Sequence, residues 1–306
     1  MVDLAAPIRK RIETLLGEYL ACGDDSIDFD RPLGAVSLFA PDSVSWRIFK
    51  NPIALYVGGI AAVILELAEP RVRAGVWDHT SFRSAPLRRI RRTAFAALAT
   101  VYGPRDQACE LIARVRTIHK QIKGTNELGE AYSASDPELL SWVHATASFG
   151  FSEAYHRYVM PLGHSERDGF FNEACTSAKL YGALNTPPSL DAFEALQEAF
   201  FEKLCPSGAL MTFIEMMKRI YALPGPAAKL EPLFVKAAIS LLPSRVRRRL
   251  GLLDQWDLGI IDGELVRSMG VVADRFLLRN HPAARACARL GLPQNYLYGK
   301  PRTNRH

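Results

Sequence analysis

The segment over residues 86–102 combines a cation, a hydroxyl and very small side chains on one face of a predicted helix. Arg89 and Thr93 are four residues apart, so their side chains are neighbours on a helix surface. Ala96 and Thr100 continue that face, and small side chains there leave room that another molecule could fill. The alternative is a solvated arginine face whose alanines pack on a neighbouring helix. On residue types alone we favour this alternative, because arginine is mostly an exposed residue.

Two histidines fall within apolar stripes. His119 lies on the stripe of a predicted helix over residues 105–123, and His144 lies on that of a predicted helix over residues 137–160. Neutral imidazole is the commonest metal ligand in proteins, so either side chain could bind a metal ion. A buried histidine is nevertheless more often a hydrogen-bonded core residue than a ligand. On residue types alone we therefore interpret both histidines as core residues.

Other signatures of catalytic or metal sites are weak or missing from the sequence. Glu153 and His156 have the Glu-x-x-His spacing of di-iron bundles, but those bundles need a second copy, which the sequence lacks. There is no H-E-x-x-H, P-loop, G-x-G-x-x-G or G-x-S-x-G motif. Zinc proteolysis, Walker-type nucleotide hydrolysis, Rossmann dinucleotide binding and serine hydrolysis therefore lack their signatures. The five cysteines contain no C-x-x-C pair, so no zinc motif or disulfide framework is indicated.

The positive charge of the chain is concentrated at two places. The net charge is +6, and residues 71–93 alone carry seven arginines against one acid, Asp78. A second set, which we call the C-terminal basic group, consists of Arg245, Arg247, Arg248 and Arg249. Such concentration indicates an anionic partner, which could be a phosphate, a lipid headgroup or the carboxylates of a cofactor. We expect no nucleic-acid partner, because apolar residues with a buried pattern interrupt the arginines.

Helical periodicity runs through nearly the whole chain, with glycine and proline between the periodic segments. We predict an all-α fold with a single globular domain over residues 1–306, in which C-terminal helices over residues 228–290 pack on the rest. No segment alternates with period two for long enough to predict a strand. The predicted helices are 3–21, 53–68, 86–102, 105–123, 137–160, 168–182, 190–204, 208–222, 228–241, 263–279 and 282–290.

Two features of the chain bear on its location. No apolar run reaches 18 residues, whereas a transmembrane helix needs about 20. The first residues lead directly into Arg9, Lys10 and Arg11 and lack the apolar core of a signal peptide. We therefore expect a cytoplasmic protein. Peripheral contact with an anionic membrane is an open alternative, because the C-terminal basic group lies beside Leu250 and Leu252.

An ordered series of short motifs carries a family resemblance. The series begins with the motif SWR at 45–47 and ends at Ala145, and an apolar predicted helix with Gly58 and Gly59 follows its first motif. The motifs are SWR at 45–47, AGVWDHTSF at 74–82, PLRRIRRT at 86–93, HKQIKG at 119–124 and YSASDPELLSWVHA at 132–145. Together they resemble the MpaB/rubber oxygenase family, which includes the latex clearing proteins and the fungal endoplasmic-reticulum oxygenase of mycophenolic acid biosynthesis. The similarity covers about residues 40–220.

The resemblance implies an all-α fold, globin-like in parts, that holds a b-type haem. By its order in the chain and its H-x-x-x-x-G context, His119 matches the histidine that binds the iron. Arg89 and Thr93 match the Arg-x-x-x-Thr beside the haem, and His144 becomes a second candidate ligand or a partner of the first. Some rubber-cleaving members have a lysine immediately before that threonine, and here the position is Arg92. Arginine deprotonates far less readily than lysine, so a lysine-like cap on the iron is not expected.

The resemblance also implies an activity. We expect a haem b-dependent oxygenase that uses dioxygen and an unidentified electron donor to oxidise a hydrophobic small molecule, such as an isoprenoid or another alkene. The expected catalytic residues are Arg89, Arg92 and Thr93; the cofactor-binding residues are His119, Arg89, Thr93 and His144, with His119 as the iron ligand. Two alternatives are a haem-binding protein without turnover, for storage, transfer or sensing, and a helical protein at a membrane surface.

Overall fold

A computed structural model of the protein describes residues 27–79, 82, 84–220 and 225–298. Within these residues the chain is mostly helical, with thirteen α-helices, two short 3-10 helices and one two-stranded sheet. The expected helix over residues 3–21 lies outside the described residues. The other ten predicted helices each correspond to an observed one, with ends that differ by a few residues.

The α-helices are α1 (Val44–Phe49), α2 (Pro52–Ala68), α3 (Pro70–His79), α4 (Pro86–Tyr102), α5 (Arg105–His119), α6 (Pro137–Tyr158), α7 (His164–Tyr181), α8 (Leu190–Phe201), α9 (Gly208–Met217), α10 (Glu231–Leu241), α11 (Ser244–Arg249), α12 (Ile260–Arg275) and α13 (Pro282–Arg289). The strands β1 (Lys123–Thr125) and β2 (Ala131–Ser133) connect α5 to α6. They pair antiparallel, with Gly124 opposite Tyr132.

Capping side chains fix where α2 and α6 begin. The side-chain oxygen of Asn51 accepts hydrogen bonds from the backbone N–H groups of Ile53 at 3.1 Å and Ala54 at 3.0 Å. Asp136 accepts in the same way at the start of α6, and a proline follows each cap. Such caps satisfy N–H groups that the first turn leaves unpaired, and proline there sacrifices no hydrogen bond.

Helices α2 and α6 pack against each other in the middle of the fold. At their crossing a Cβ atom on Gly58 would lie 2.6 Å from the carbonyl oxygen of Gly150, so the two backbones are in contact. Further along, Trp142 Nε1 donates a hydrogen bond to the carbonyl oxygen of Leu65 at 3.4 Å. The order of these contacts shows that the two helices run antiparallel. Glycine at both crossing positions is what permits this distance.

A large cluster of buried apolar side chains contains residues of all thirteen helices. Aromatic rings connect α6 to α8 within it: Trp142 stacks on Phe200 with centroids 4.4 Å apart, and Phe149 stacks on Phe193 at 4.7 Å. The helices over residues 231–289 therefore share a core with the helices before them. The organisation of all 306 residues as one domain stays a prediction.

The structure differs from the prediction at three short helices and one hairpin. The periodicity predicts none of α1, α3 and α11, which have 6, 10 and 6 residues. Six residues contain too few apolar repeats for a period to show, and in α3 the buried side chains include Arg73, which breaks the apolar pattern. The prediction of purely helical structure is also wrong at β1 and β2. Helix α5 ends at His119 because the following residues enter this hairpin.

No single helix among the described residues is long and apolar enough to cross a bilayer. Helices α2 and α3 together have the length and apolar composition of a membrane-spanning segment, but the chain bends by 109° between them. At this bend the Glu69 carboxylate accepts a hydrogen bond from the backbone N–H of Val72 at 2.7 Å.

The helix crossing predicts unequal effects for two adjacent glycines. Gly58→Ala should lower the free energy of unfolding by about 2–3 kcal/mol, because the methyl group forces α2 away from α6. Gly59→Ala is the matched control, since a Cβ atom there would meet only Phe151 Cε1 at 3.9 Å. Alanine favours a helix by about 1 kcal/mol over glycine, so the control should unfold at the same or higher urea concentration. Equal midpoints for the two variants would contradict the crossing.

Candidate functional site

Arg89 and Thr93 form a pair on α4. The Arg89 guanidinium donates a hydrogen bond to Thr93 Oγ1, and that hydroxyl donates to the Arg89 carbonyl oxygen at 3.0 Å. The guanidinium also lies 5.7 Å from the centroid of the Phe82 ring, a cation–π distance. The predicted contact at four-residue spacing is therefore present. The Arg89 guanidinium keeps further N–H donors at one side of α4, whereas the single O–H of Thr93 is already used by the Arg89 carbonyl oxygen.

The small-residue face of α4 is partly filled by another helix. Thr100 Oγ1 donates to the carbonyl oxygen of Ala96 at 2.8 Å and lies 3.5 Å from the Tyr181 hydroxyl of α7. Towards Arg89 the face remains half-buried, at Ala96 and Ala97. Any space for another molecule along this face therefore lies between Tyr181 and Arg89.

Glu66, on α2, is a site residue that the sequence analysis does not identify. Burial raises the pKa of its carboxyl group to about 7, and the opposing charge of Arg89 keeps the pKa from rising further. Burial in turn lowers the pKa of Arg89, and the negative charge of Glu66 partly offsets this by raising it. A signal was present in the sequence, because Glu66 is the one charged residue within the apolar segment 53–68. That segment alone does not reveal which cation faces it.

His119 is the last residue of α5, and its side chain is half-buried. Its Nδ1 atom is buried without a hydrogen-bond partner among the described residues. Burial and the nearby charge of Arg89 lower the pKa of the imidazole, so the ring is neutral at pH 7. The apolar stripe predicted around it is incomplete, since Ile118 is 52% exposed. A neutral imidazole with an unused nitrogen can bind a metal ion or accept a hydrogen bond.

His144 lies on α6 close to His119. Burial, and to a smaller extent the neighbouring His119, lower the pKa of its imidazole to about 4. Its ring is tilted against the ring of Tyr181, with centroids 5.0 Å apart. The second histidine is therefore also neutral at pH 7 and is positioned beside the small-residue face of α4.

The site thus collects four groups from four helices: Glu66, Arg89, His119 and His144, each of which affects the pKa of the next or is affected by it. All four side chains are half-buried, yet burial is the largest influence on the pKa of each. The four side chains therefore lie together at one partly accessible place between their helices. We call this place the four-helix recess.

Two predicted site residues lie at the edge of the four-helix recess. Arg92 and Thr93 have exposed side chains, although Thr93 is hydrogen-bonded to Arg89. The charge of Arg92 also lowers the pKa of Arg89. The structure therefore brings Arg89, His119 and His144 together in the recess and leaves Arg92 and Thr93 on its solvent side.

Three of the four arginines in the C-terminal basic group form ion pairs with carboxylates. Arg245 pairs with Glu198 at 2.6 Å, Arg249 pairs with Glu202 at 3.2 Å, and Arg247 pairs with Asp257. The leucines beside it belong to the core, with Leu250 1% and Leu252 0% exposed. Lipid contact by this group stays a prediction, and these two leucines are not available for it.

Comparison with known proteins identifies a matching family and similar proteins. The family of catalytic domains described as ER-bound oxygenase mpaB/B'/Rubber oxygenase matches residues 46–271, which include α2 to α11 and all four recess groups. Uncharacterized protein Mb2261 of Mycobacterium bovis and Uncharacterized protein Rv2237 of Mycobacterium tuberculosis are each 30% identical to the chain over 119 residues. That stretch is 37% of this chain and 46% of each relative, so the chain spans about half their length. No solved structure matches the chain significantly.

The raised pKa of Glu66 predicts a specific pH dependence of stability. The carboxyl group binds its proton more tightly in the folded protein, with a pKa of about 7 against the ordinary 4.5, so stability falls as the pH rises through this interval. We measure the free energy of unfolding of haem-free protein in urea for Glu66→Gln and for the unsubstituted protein. We expect the difference between the two to rise by about 3 kcal/mol in favour of the variant from pH 4.5 to pH 8.5.

Glu138→Gln is the control for this titration. Two cations, Lys203 and Arg71, oppose the effect of burial and lower the pKa of Glu138, so its titration lies below the interval tested. The difference between this variant and the unsubstituted protein should therefore change little between pH 5 and pH 8.5. Parallel pH profiles for the Glu66→Gln and unsubstituted proteins would show that Glu66 titrates normally.

Proposed function

Because the chain belongs to the mpaB/rubber oxygenase family, whose catalytic domain it carries, we propose that it is a haem b-dependent oxygenase of hydrophobic small molecules. The observation that supports this most is the half-buried His119, with its unpaired Nδ1 atom and its neutral ring. The proposed substrate is an isoprenoid or another alkene, and the proposed co-substrate is dioxygen. A cytoplasmic location with contact to membranes, from which such substrates partition, is part of this proposal.

The donor set of the four-helix recess fits a haem better than a bare metal ion. Among the described residues no three His, Cys, Asp or Glu side chains are grouped so that they could hold a metal ion. A porphyrin brings four nitrogen ligands of its own, so one neutral imidazole is sufficient from the protein. His119 would be that ligand, and Arg89 would bind a propionate or a group on the oxygen side. When bound, the haem would supply the iron at which dioxygen is activated.

The surrounding side chains have separate tasks in this proposal. The apolar wall of α2, with Gly59 and Val63 on the same face as Glu66, excludes water from the recess. The Glu66 carboxyl group can hold or release a proton near pH 7, because its pKa lies there. Thr93 keeps the Arg89 guanidinium in place through its hydroxyl. Arg92, on the solvent side, lowers the pKa of Arg89 through its charge.

One observation favours a second candidate, a haem protein without turnover. His119 is close enough to His144 to lower the pKa of His144, and both rings are neutral at pH 7. If both histidines bound the iron, no coordination position would remain for dioxygen. Storage, transfer or sensing of haem would then be the function. The two candidates differ in the number of protein ligands on the iron.

The oxygenase proposal predicts a coloured protein that consumes oxygen. Purified protein should take up haemin and develop a Soret band, and its reduced form should consume dioxygen faster when farnesol is added. His119→Ala should lose the haem or shift its spectrum much more than His144→Ala, because His119 is the proposed ligand. Ultraviolet–visible titration and an oxygen electrode measure both effects.

Three results would contradict this proposal in different ways. A colourless protein that fails to retain haemin would remove the cofactor. Loss of haem from the His144 variant alone would transfer the ligand assignment to His144. A purely low-spin electron paramagnetic resonance signal that imidazole does not alter would indicate two protein ligands and would favour the protein without turnover.

Arg89 should contribute to haem retention through its charge. We expect Arg89→Ala to weaken haemin binding by about 1.5–3 kcal/mol, the range for a hydrogen bond to a charged group. The adjacent Arg88→Ala is the matched control, since Arg88 is exposed and should leave haemin affinity unchanged. Haemin transfer to apomyoglobin gives the affinities. Unchanged retention by the Arg89 variant would limit Arg89 to its electrostatic interaction with Glu66.

A further inference from the structure

A groove between α4 and α9 lies next to the four-helix recess. It has a volume of about 660 Å³, which is within the usual range for small-molecule sites. Its lining combines the apolar side chains of Leu87, Met216 and Ile220 with the guanidinium groups of Arg88, Arg91 and Arg219. A second part of about 470 Å³ continues it along α9 and shares Met216 and Arg219. We call the two parts together the arginine groove.

The arginine groove has an excess of positive charge. Three guanidinium groups line it, and Glu215 is the carboxylate that lines its second part. Lys218 already pairs with that carboxylate, with its Nζ atom 3.0 Å and 3.1 Å from the two oxygens. Arg219 lies 4.0 Å from Glu215 and its side chain is 81% exposed. Among the described residues, the lining of the groove therefore contains more guanidinium groups than carboxylates.

Other arginines of the same sequence cluster have clear structural partners. Arg71 pairs with Glu69 at 2.8 Å and with a second carboxylate at 3.1 Å, and Arg73 pairs with Glu127. These ion pairs fix α3 to its surroundings. Arg88 differs from them, because it is exposed at the beginning of α4, where it lines the groove. The anionic partner that the sequence indicates is therefore expected at the groove rather than at α3.

One aromatic ring connects the arginine groove to the recess. The buried Phe82 ring contacts Phe213 of α9 edge-on at 5.7 Å between centroids, and the Arg89 guanidinium lies 5.7 Å from the same ring. The residue before Arg89 is Arg88, whose side chain lines the groove. The groove and Arg89 are therefore neighbours at adjacent positions of α4, and the Phe82 ring contacts both α9 and Arg89.

We propose that the arginine groove binds the carboxylate or phosphate head of the substrate, so that the substrate is an anionic amphiphile and not a neutral hydrocarbon. This inference rests on the proposed oxygenase function and adds the substrate class. Arg88 and Arg219 bind the head through charge-assisted hydrogen bonds, which guanidinium groups form in pairs. Leu87, Met216 and Ile220 cover the first part of the chain, and in this proposal the rest is directed towards Arg89 and the recess. The bound species is a free small molecule rather than a membrane lipid.

The experiment compares two probes with the same chain. Farnesoic acid and farnesol differ in the carboxylate, and both are titrated into the purified protein by calorimetry below their micelle concentrations. We expect the acid to bind at least tenfold more tightly than the alcohol, and its affinity to fall with added salt. Arg88→Ala/Arg219→Ala should lower the affinity for the acid about tenfold and leave that for the alcohol unchanged.

The control variant is Arg248→Ala/Arg275→Ala. It removes the same charge from two exposed arginines that line neither part of the groove, so its affinity for the acid should equal that of the unsubstituted protein. Arg91 is left in place, because it is half-buried and its loss could alter packing. If both double variants bound the acid equally weakly, the effect would be one of net charge alone, and the proposal would be overturned.

Further outcomes decide what else the arginines could do. Equal affinities for the acid and the alcohol would overturn the proposal. Loss of haemin from the double variant at Arg88 and Arg219 would also overturn it, because those arginines would then bind the haem propionates. Flotation with phosphatidylglycerol vesicles that depends on the same two arginines, without binding of free acid, would assign the groove to lipid. Arginine-dependent binding of the acid by a protein that cannot retain haemin would remove the oxygenase function and keep the groove as an acid site.

Discussion

The backbone contact between Gly58 and Gly150 is the constraint on which the site depends. Because α2 and α6 run antiparallel from this crossing, Glu66 and His144 lie on the same side of it, about 12 Å and 9 Å along their helices. The hydrogen bond from Trp142 to Leu65 holds the two helices together at that level. A wider crossing would move Glu66 on α2 away from His144 on α6. Two glycines thus set the width of the four-helix recess.

Burial near this crossing disfavours the charged forms of the ionisable groups. Glu66 has a pKa of about 7 and His144 a pKa of about 4, so the folded protein favours the neutral form of both groups. Arg89 remains the cation of the recess, because a guanidinium does not lose its proton under these conditions. A recess with one permanent positive charge and neutral imidazoles is suited to a ligand that carries carboxylates on one side and a metal ion at its centre.

The tertiary structure divides the arginines into three groups with different consequences. Arg71 and Arg73 pair with carboxylates and stabilise α3, and the C-terminal basic group is mostly paired in the same manner. Arg89 lies inside the recess. Arg88 and Arg219 of the groove remain at the surface beside apolar side chains, where a charged head and an apolar chain can bind together. Net charge alone does not distinguish these groups, because each arginine contributes equally to it.

The sequence by itself determined the features that depend on residues close together in the chain. The helix over residues 86–102, the contact of Arg89 with Thr93 and the family resemblance of the ordered motifs all follow from local spacing. Only the tertiary structure decided that Glu66 faces Arg89, that residues after His119 form a hairpin and that α4 and α9 enclose a groove. These features depend on helix packing between distant segments, and helical periodicity shows which face is buried but not which helix covers it.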